Sequence, residues 1–119
     1  MRSSRVRRLL ASFVLVGLLA TCGDDAPSPD DAAAREVEIT ISDGRVDTAE
    51  DRVEVASGST VRLVVTSDID DELHVHGVDE TADLVAGEPT TLEFTVDEPG
   101  SYDVETHRSG TLLVQLLVR

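Results

Sequence analysis

The three histidines, His74, His76 and His107, are the side chains whose type and spacing point to chemistry. Two of them lie in the stretch Asp71-Glu72-Leu73-His74-Val75-His76-Gly77, and the third follows Thr106. A neutral imidazole is a good ligand for Cu(II) or Zn(II). On an extended strand, residues two apart point to the same side with their Cα atoms about 6.5 Å apart. His74 and His76 can therefore converge on one ion. Three imidazoles with an open position suit either metal. The same stretch also supports a plainer reading. Leu73 and Val75 are its apolar pair, so alternation turns them inward and leaves both histidines on a solvated face.

Other chemistries find little footing. Ser57, Ser59 and Ser109 have no nucleophile-elbow context, and a dispersed serine triad does not suit so small a chain. Asp68, Asp70, Asp71 and Glu72 lack the spaced oxygens of a calcium loop and read as a solvated acidic loop. The chain has no lysine for Schiff-base chemistry and no glycine-rich phosphate loop running from a strand into a helix. The expectation is a protein that is not an enzyme.

The 119 residues divide into an address, a tether and one domain. Residues 1–8 carry Arg2, Arg5, Arg7 and Arg8 without an acid, and Leu9 to Ala20 is an apolar run too short to span a bilayer stably. The run closes on Leu19-Ala20-Thr21-Cys22, and Cys22 is the only cysteine. This arrangement resembles a bacterial lipoprotein signal. The resemblance implies cleavage after residue 21, a diacylglyceryl group on Cys22, and an extracytoplasmic protein held to the cell membrane by its lipid. An ordinary cleaved signal with an incidental cysteine is the alternative. Residues 22–35, small, acidic and proline-containing, read as a flexible tether.

Removing residues 1–21 takes four arginines and no acid, so 24 acids remain against six arginines, a formal charge of −18 (6 − 24). Such a surface repels nucleic acid and anionic headgroups and attracts cations. The expected partner is the membrane, through the lipid alone, with a protein of the cell envelope as a second candidate. A monomer is expected.

From Glu36 onward the pattern is that of half-buried strands. Val37, Ile39 and Ile41 alternate with polar residues, as do Val53 and Val55, then Val61, Leu63 and Val65. The His-Val-His segment is a short strand. Leu92, Phe94 and Val96, then Tyr102 and Val104, then Leu112, Val114, Leu116 and Val118 continue the alternation. These make about seven short strands with turns between them and no helix. The fold predicted is an all-β Greek-key antiparallel sandwich over residues 36–119.

The order of motifs then resembles a known family. Ser57-Gly58-Ser59-Thr60-Val61 leads a strand, and Ser67-Asp68 opens the loop before His74. Ala86-Gly87-Glu88, Leu92-Glu93-Phe94-Thr95 and Pro99-Gly100-Ser101-Tyr102 follow. The domain resembles a cupredoxin, the sandwich of plastocyanin-like proteins. The resemblance implies that His74 stands for the first histidine ligand and points inward, with His107 brought near His74 and His76, where Glu105, Asp71 or Glu72 could add an oxygen. It places Thr106 where the copper-binding cysteine belongs, and Leu112 and Leu113 where an axial methionine would stand. A blue-copper centre needs a thiolate with two imidazoles, so blue-copper electron transfer is not expected. What remains is a sandwich that binds Cu(II) or Zn(II) through His74, His76 and His107, or a metal-free structural or protein-interaction module.

Overall fold

The computed structural model describes residues 34–119. The signal expected over residues 1–21, the lipidation site Cys22 and most of the tether lie outside the described residues. Nine strands make up the described residues: β1 (Arg35–Ser42), β2 (Arg45–Thr48), β3 (Arg52–Val55), β4 (Ser59–Ser67), β5 (Asp71–Val75), β6 (Glu80–Leu84), β7 (Pro89–Val96), β8 (Gly100–Thr106) and β9 (Leu112–Val118). They form two sheets, ordered β2-β1-β4-β7 and β3-β9-β8-β5-β6. There is no helix among the described residues.

The sandwich follows from the alternation. Every second residue of β1, β4 and β5 is buried, and Leu63, Val65, Leu73 and Val75 are completely removed from solvent. Branched aliphatic side chains from both inner faces make one core, with Phe94 inside it and Tyr102 packed at its margin. Burying apolar surface of this kind is the main driving term for the fold.

Nine strands stand where about seven were expected, and the two sheets are mixed rather than purely antiparallel. The additional strands are β2 and β6, both at sheet edges. Only Val46 in β2, and Ala82 and Leu84 in β6, offer an apolar side chain. Backbone pairing to one neighbour makes these strands, and a hydrophobic pattern does not reveal it. Two pairings, β1 with β4 and β3 with β9, run parallel. The Asp43-Gly44 turn explains how β2 joins. Both residues have positive φ, 51° and 72°, the two-residue hairpin geometry that matches strand twist.

For the site, the important relationship is the placement of β5 between β8 and β6. Leu73, His74 and Val75 lie opposite Thr106, Glu105 and Val104, and His74 lies opposite Thr81 on the other side.

Candidate metal site

β5 follows the plain alternation. Asp71, Leu73 and Val75 are buried, so Glu72 and His74 face out of the sandwich. The inward orientation that the family resemblance implied for His74 is therefore corrected. The inward polar residue of β5 is Asp71, two positions earlier. The reading of Asp71 as part of a solvated acidic loop is corrected too, because it begins β5 and is 2% exposed.

Outside the sheet, His74 and Glu105 are direct cross-strand partners. The His76 N–H donates to the Asp103 carbonyl at 2.9 Å, which carries the β5–β8 ladder one residue beyond β5. That bond sets the His76 ring beside the His74 ring, with centroids 4.3 Å apart. His76 Nε2 lies 2.5 Å from Glu105 Oε1. One ligand atom from each of His74, His76 and Glu105 falls within 4.8 Å of the other two. Ligand atoms about 2.0–2.2 Å from a tetrahedral ion lie roughly 3.3 Å apart, so small side-chain rotations would close the trio. His74 is mostly covered, with 21% of its side chain exposed, while His76 is half exposed.

A tight turn holds this arrangement. Gly77 has φ 94° and Asp79 has φ 55°, and the Asp79 N–H donates to the Val75 carbonyl at 3.1 Å. The chain thereby turns back into β6 alongside β5, leaving Asp79 Oδ1 3.9 Å from His74 Nε2. A Cβ on Gly77 would meet the Tyr102 ring at 2.8 Å, so only glycine allows the turn to sit this close.

The electrostatics favour a cation. The hydrogen bond to Glu105 raises the His76 pKa above its ordinary 6.5. Desolvation opposes the shift, and the charges of Glu105, Asp103 and Asp79 reinforce it. A metal would take the place of that proton between the imidazole and the carboxylate.

His107 stands close but outside the trio, its ring centroid 6.5 Å from that of His74 with the planes at 80°. Of the three oxygens considered beside the histidines, Glu105 enters the trio. Glu72 faces out of the sheet on the other side of β5's centre, and Asp71 is turned into the protein. The signal for Glu105 was its placement opposite His74, which requires strand register and cannot be read from one strand.

Asp71 is used otherwise. Its carboxylate accepts the N–H groups of Glu72 (2.8 Å), Arg108 (2.8 Å) and Ser109 (3.2 Å) and the Ser109 hydroxyl (2.7 Å). The Ser109 Oγ is also 2.6 Å from Thr106 Oγ1, and Thr106 Oγ1 accepts the Thr111 N–H at 3.1 Å. Burial pushes the Asp71 pKa up. The Ser109 hydroxyl and the three backbone N–H groups outweigh that and hold it below the ordinary 3.8.

This network decides whether a blue-copper centre fits. Thr106 is 1% exposed and its hydroxyl is already bonded. It faces inward beside Asp71 and Ser109, whereas His74 and His76 stand on the opposite face of the sheet. No thiol occurs among the described residues. The interior therefore has neither the thiolate nor the imidazoles of such a centre.

Comparison with known proteins agrees with the architecture. A family model described as "Cupredoxin-like domain" matches residues 10–114. Similar solved structures include a chain of a heme-copper terminal oxidase dimer (TM-score 0.61, 20% identity, covering 72% of this chain and 64% of that one). A copper-binding protein solved in the apo form gives a TM-score of 0.59 at 15% identity, covering 73% of this chain and 89% of that one. A purple cupredoxin from Nitrosopumilus maritimus gives 0.54 at 15% identity, covering 71% and 98%. At such identities the likeness is one of fold, and this chain spans less than two thirds of the oxidase chain. No curated protein sequence matches it.

Proposed function

Since the chain belongs to the cupredoxin-like domain family, we propose that it uses this fold to capture a divalent ion, Cu(II) or Zn(II), and not to pass electrons through blue copper. The observation that carries the proposal is the convergence of His74, His76 and Glu105 within 4.8 Å on one outer face. Two imidazoles and a carboxylate with an open position form a common ligand set for Zn(II), and Cu(II) binds such sites more tightly still. The chain works as a binding module and not as an enzyme. It is held outside the cytoplasm at the cell membrane by a lipid on Cys22, and its acidic surface concentrates cations near the site.

Titration of the full chain with Cu(II) and with Zn(II), against a His74→Ala/His76→Ala/Glu105→Gln variant, tests the site. Saturable one-to-one binding lost in the variant is expected, and equal weak binding by both proteins would remove the proposal. Fractionation of expressing cells tests the anchor, because Cys22→Ala should release the chain from the membrane.

The competing reading is a metal-free interaction module. It draws support from the His76–Glu105 contact, which satisfies both groups without an ion.

A further inference from the structure

The loop between β8 and β9 is tied to the very strand that carries the metal ligands. The His107 N–H donates to the Glu72 carbonyl at 2.8 Å. The next two N–H groups, of Arg108 and Ser109, both donate to the Asp71 carboxylate. Two consecutive residues of β5 thus fix three consecutive residues of the loop, and His74 follows two positions later on that strand. The anchor is well made, with Asp71 2% exposed and its carboxylate taking four donors. Ser109 Oγ joins it to Thr106 and Thr111. His107 itself is exposed and makes no side-chain hydrogen bond to Asp71 or Ser109, so its ring can rotate while its backbone stays fixed. Its centroid is 6.5 Å from that of His74, a gap that side-chain rotation can cross.

Resting on the metal reading above, we infer that His107 turns in as a third imidazole when Cu(II) binds at His74, His76 and Glu105, and that Asp71 is the positioning residue that keeps it within reach. The closed set is three nitrogens and one oxygen, which suits the tetragonal preference of Cu(II). Asp71 acts from the opposite face of the sheet, through the loop backbone, and never touches the ion. Groups placed behind a metal ligand in this way typically change affinity by about 10–100-fold when lost.

The test loads the full chain with Cu(II) and counts coordinated imidazoles by pulsed electron paramagnetic resonance, alongside the dissociation constant. The wild-type protein should show three imidazoles and His107→Ala two. Asp71→Asn should also show two, with affinity about 10-fold weaker, although its His107 is intact. Ser109→Ala removes the hydroxyl at the centre of the network and should give a mixture of two- and three-imidazole spectra. It keeps the question open to decision if Asp71→Asn does not fold. Two imidazoles in both the wild type and His107→Ala would overturn this inference while leaving the three-residue site in place. Superimposable spectra for the wild type, Asp71→Asn and Ser109→Ala would overturn the role of Asp71. Binding unaffected by His74→Ala/His76→Ala would remove the site itself, and with it both readings.

Discussion

His74 on β5 and Glu105 on β8 are direct cross-strand partners, and His76, one residue past the end of β5, reaches the same carboxylate at 2.5 Å. Sheet register, and not a loop, therefore brings the three groups together. Opposed residues on one face of an antiparallel pair have their Cβ atoms only about 5 Å apart, so the backbone ladder fixes the trio before any ion arrives.

The first prediction concerns protons. Folded His76 keeps its proton above the ordinary 6.5 because Glu105 accepts it. The pair's contribution to stability is thus complete below about pH 6.5 and is lost as pH rises through the folded pKa. In Glu105→Gln the His76 titration, followed by NMR of the ring protons, should move down towards the ordinary value. A metal must displace this proton, so affinity should rise with pH through the same range. A His76 pKa unchanged by Glu105→Gln would contradict the assigned cause.

The second concerns Asp71. Its folded pKa lies below 3.8, so its stabilising effect is present at and above the unfolded value and disappears as pH falls through the folded one. Asp71→Asn leaves donor N–H groups facing an amide and should cost about 2 kcal/mol near neutral pH. The difference between the two proteins in denaturant melts should shrink as the pH is lowered below 4, because the wild type then loses the carboxylate as well. A constant difference from pH 7 to pH 2 would refute the ionised network.

The third is steric. Gly77→Ala places a Cβ 2.8 Å from the Tyr102 ring at a φ of 94°. The backbone strain alone should cost roughly 1–3 kcal/mol, and the turn that follows His76 must move. Both the thermal midpoint and the affinity for Zn(II) should fall. Leu112→Ala, at a side chain 55% exposed, should leave both nearly unchanged.

These residues also mark what the sequence could and could not reveal. The sandwich was legible because the apolar residues of β1, β4, β7 and β8 repeat every second position, and those of β9 do so from Val114 on. At the start of β9 a register shift against β8 leaves Leu112 exposed and buries Leu113, so Leu112 does not share the inward face as the alternation predicts. β2 and β6 were not legible, because β2 offers only Val46 and β6 only Ala82 and Leu84 as apolar side chains, and backbone pairing to a single neighbour makes them strands. At the site, the orientation of Leu73 and Val75 already carried the answer. Their alternation places Asp71 inward and His74 outward, whereas the family resemblance pulled His74 the other way. The partnership of His74 with Glu105, 31 positions apart, depends on the β5–β8 register, and no local pattern encodes it. The buried state of Asp71 was hidden by its neighbours, because Asp68, Asp70 and Glu72 make the stretch look uniformly solvated.

The last prediction follows from the two faces of β5. Thr106 lies opposite Leu73, and both are buried. Glu105 lies opposite His74, and these two look outward. A thiol placed at residue 106 would consequently enter the interior beside Asp71 and Ser109, with no imidazole to meet it there. Blue copper requires the thiolate and two imidazoles about one ion. Thr106→Cys loaded with Cu(II) should therefore show the spectrum of the surface site and no intense blue band. Adding His74→Ala/His76→Ala to that variant should abolish the surface spectrum without changing the thiol's reactivity towards a disulfide reagent. An intense blue absorption in Thr106→Cys, lost on His74→Ala, would mean that His74 can reach the interior, and the assignment of the two faces would be wrong.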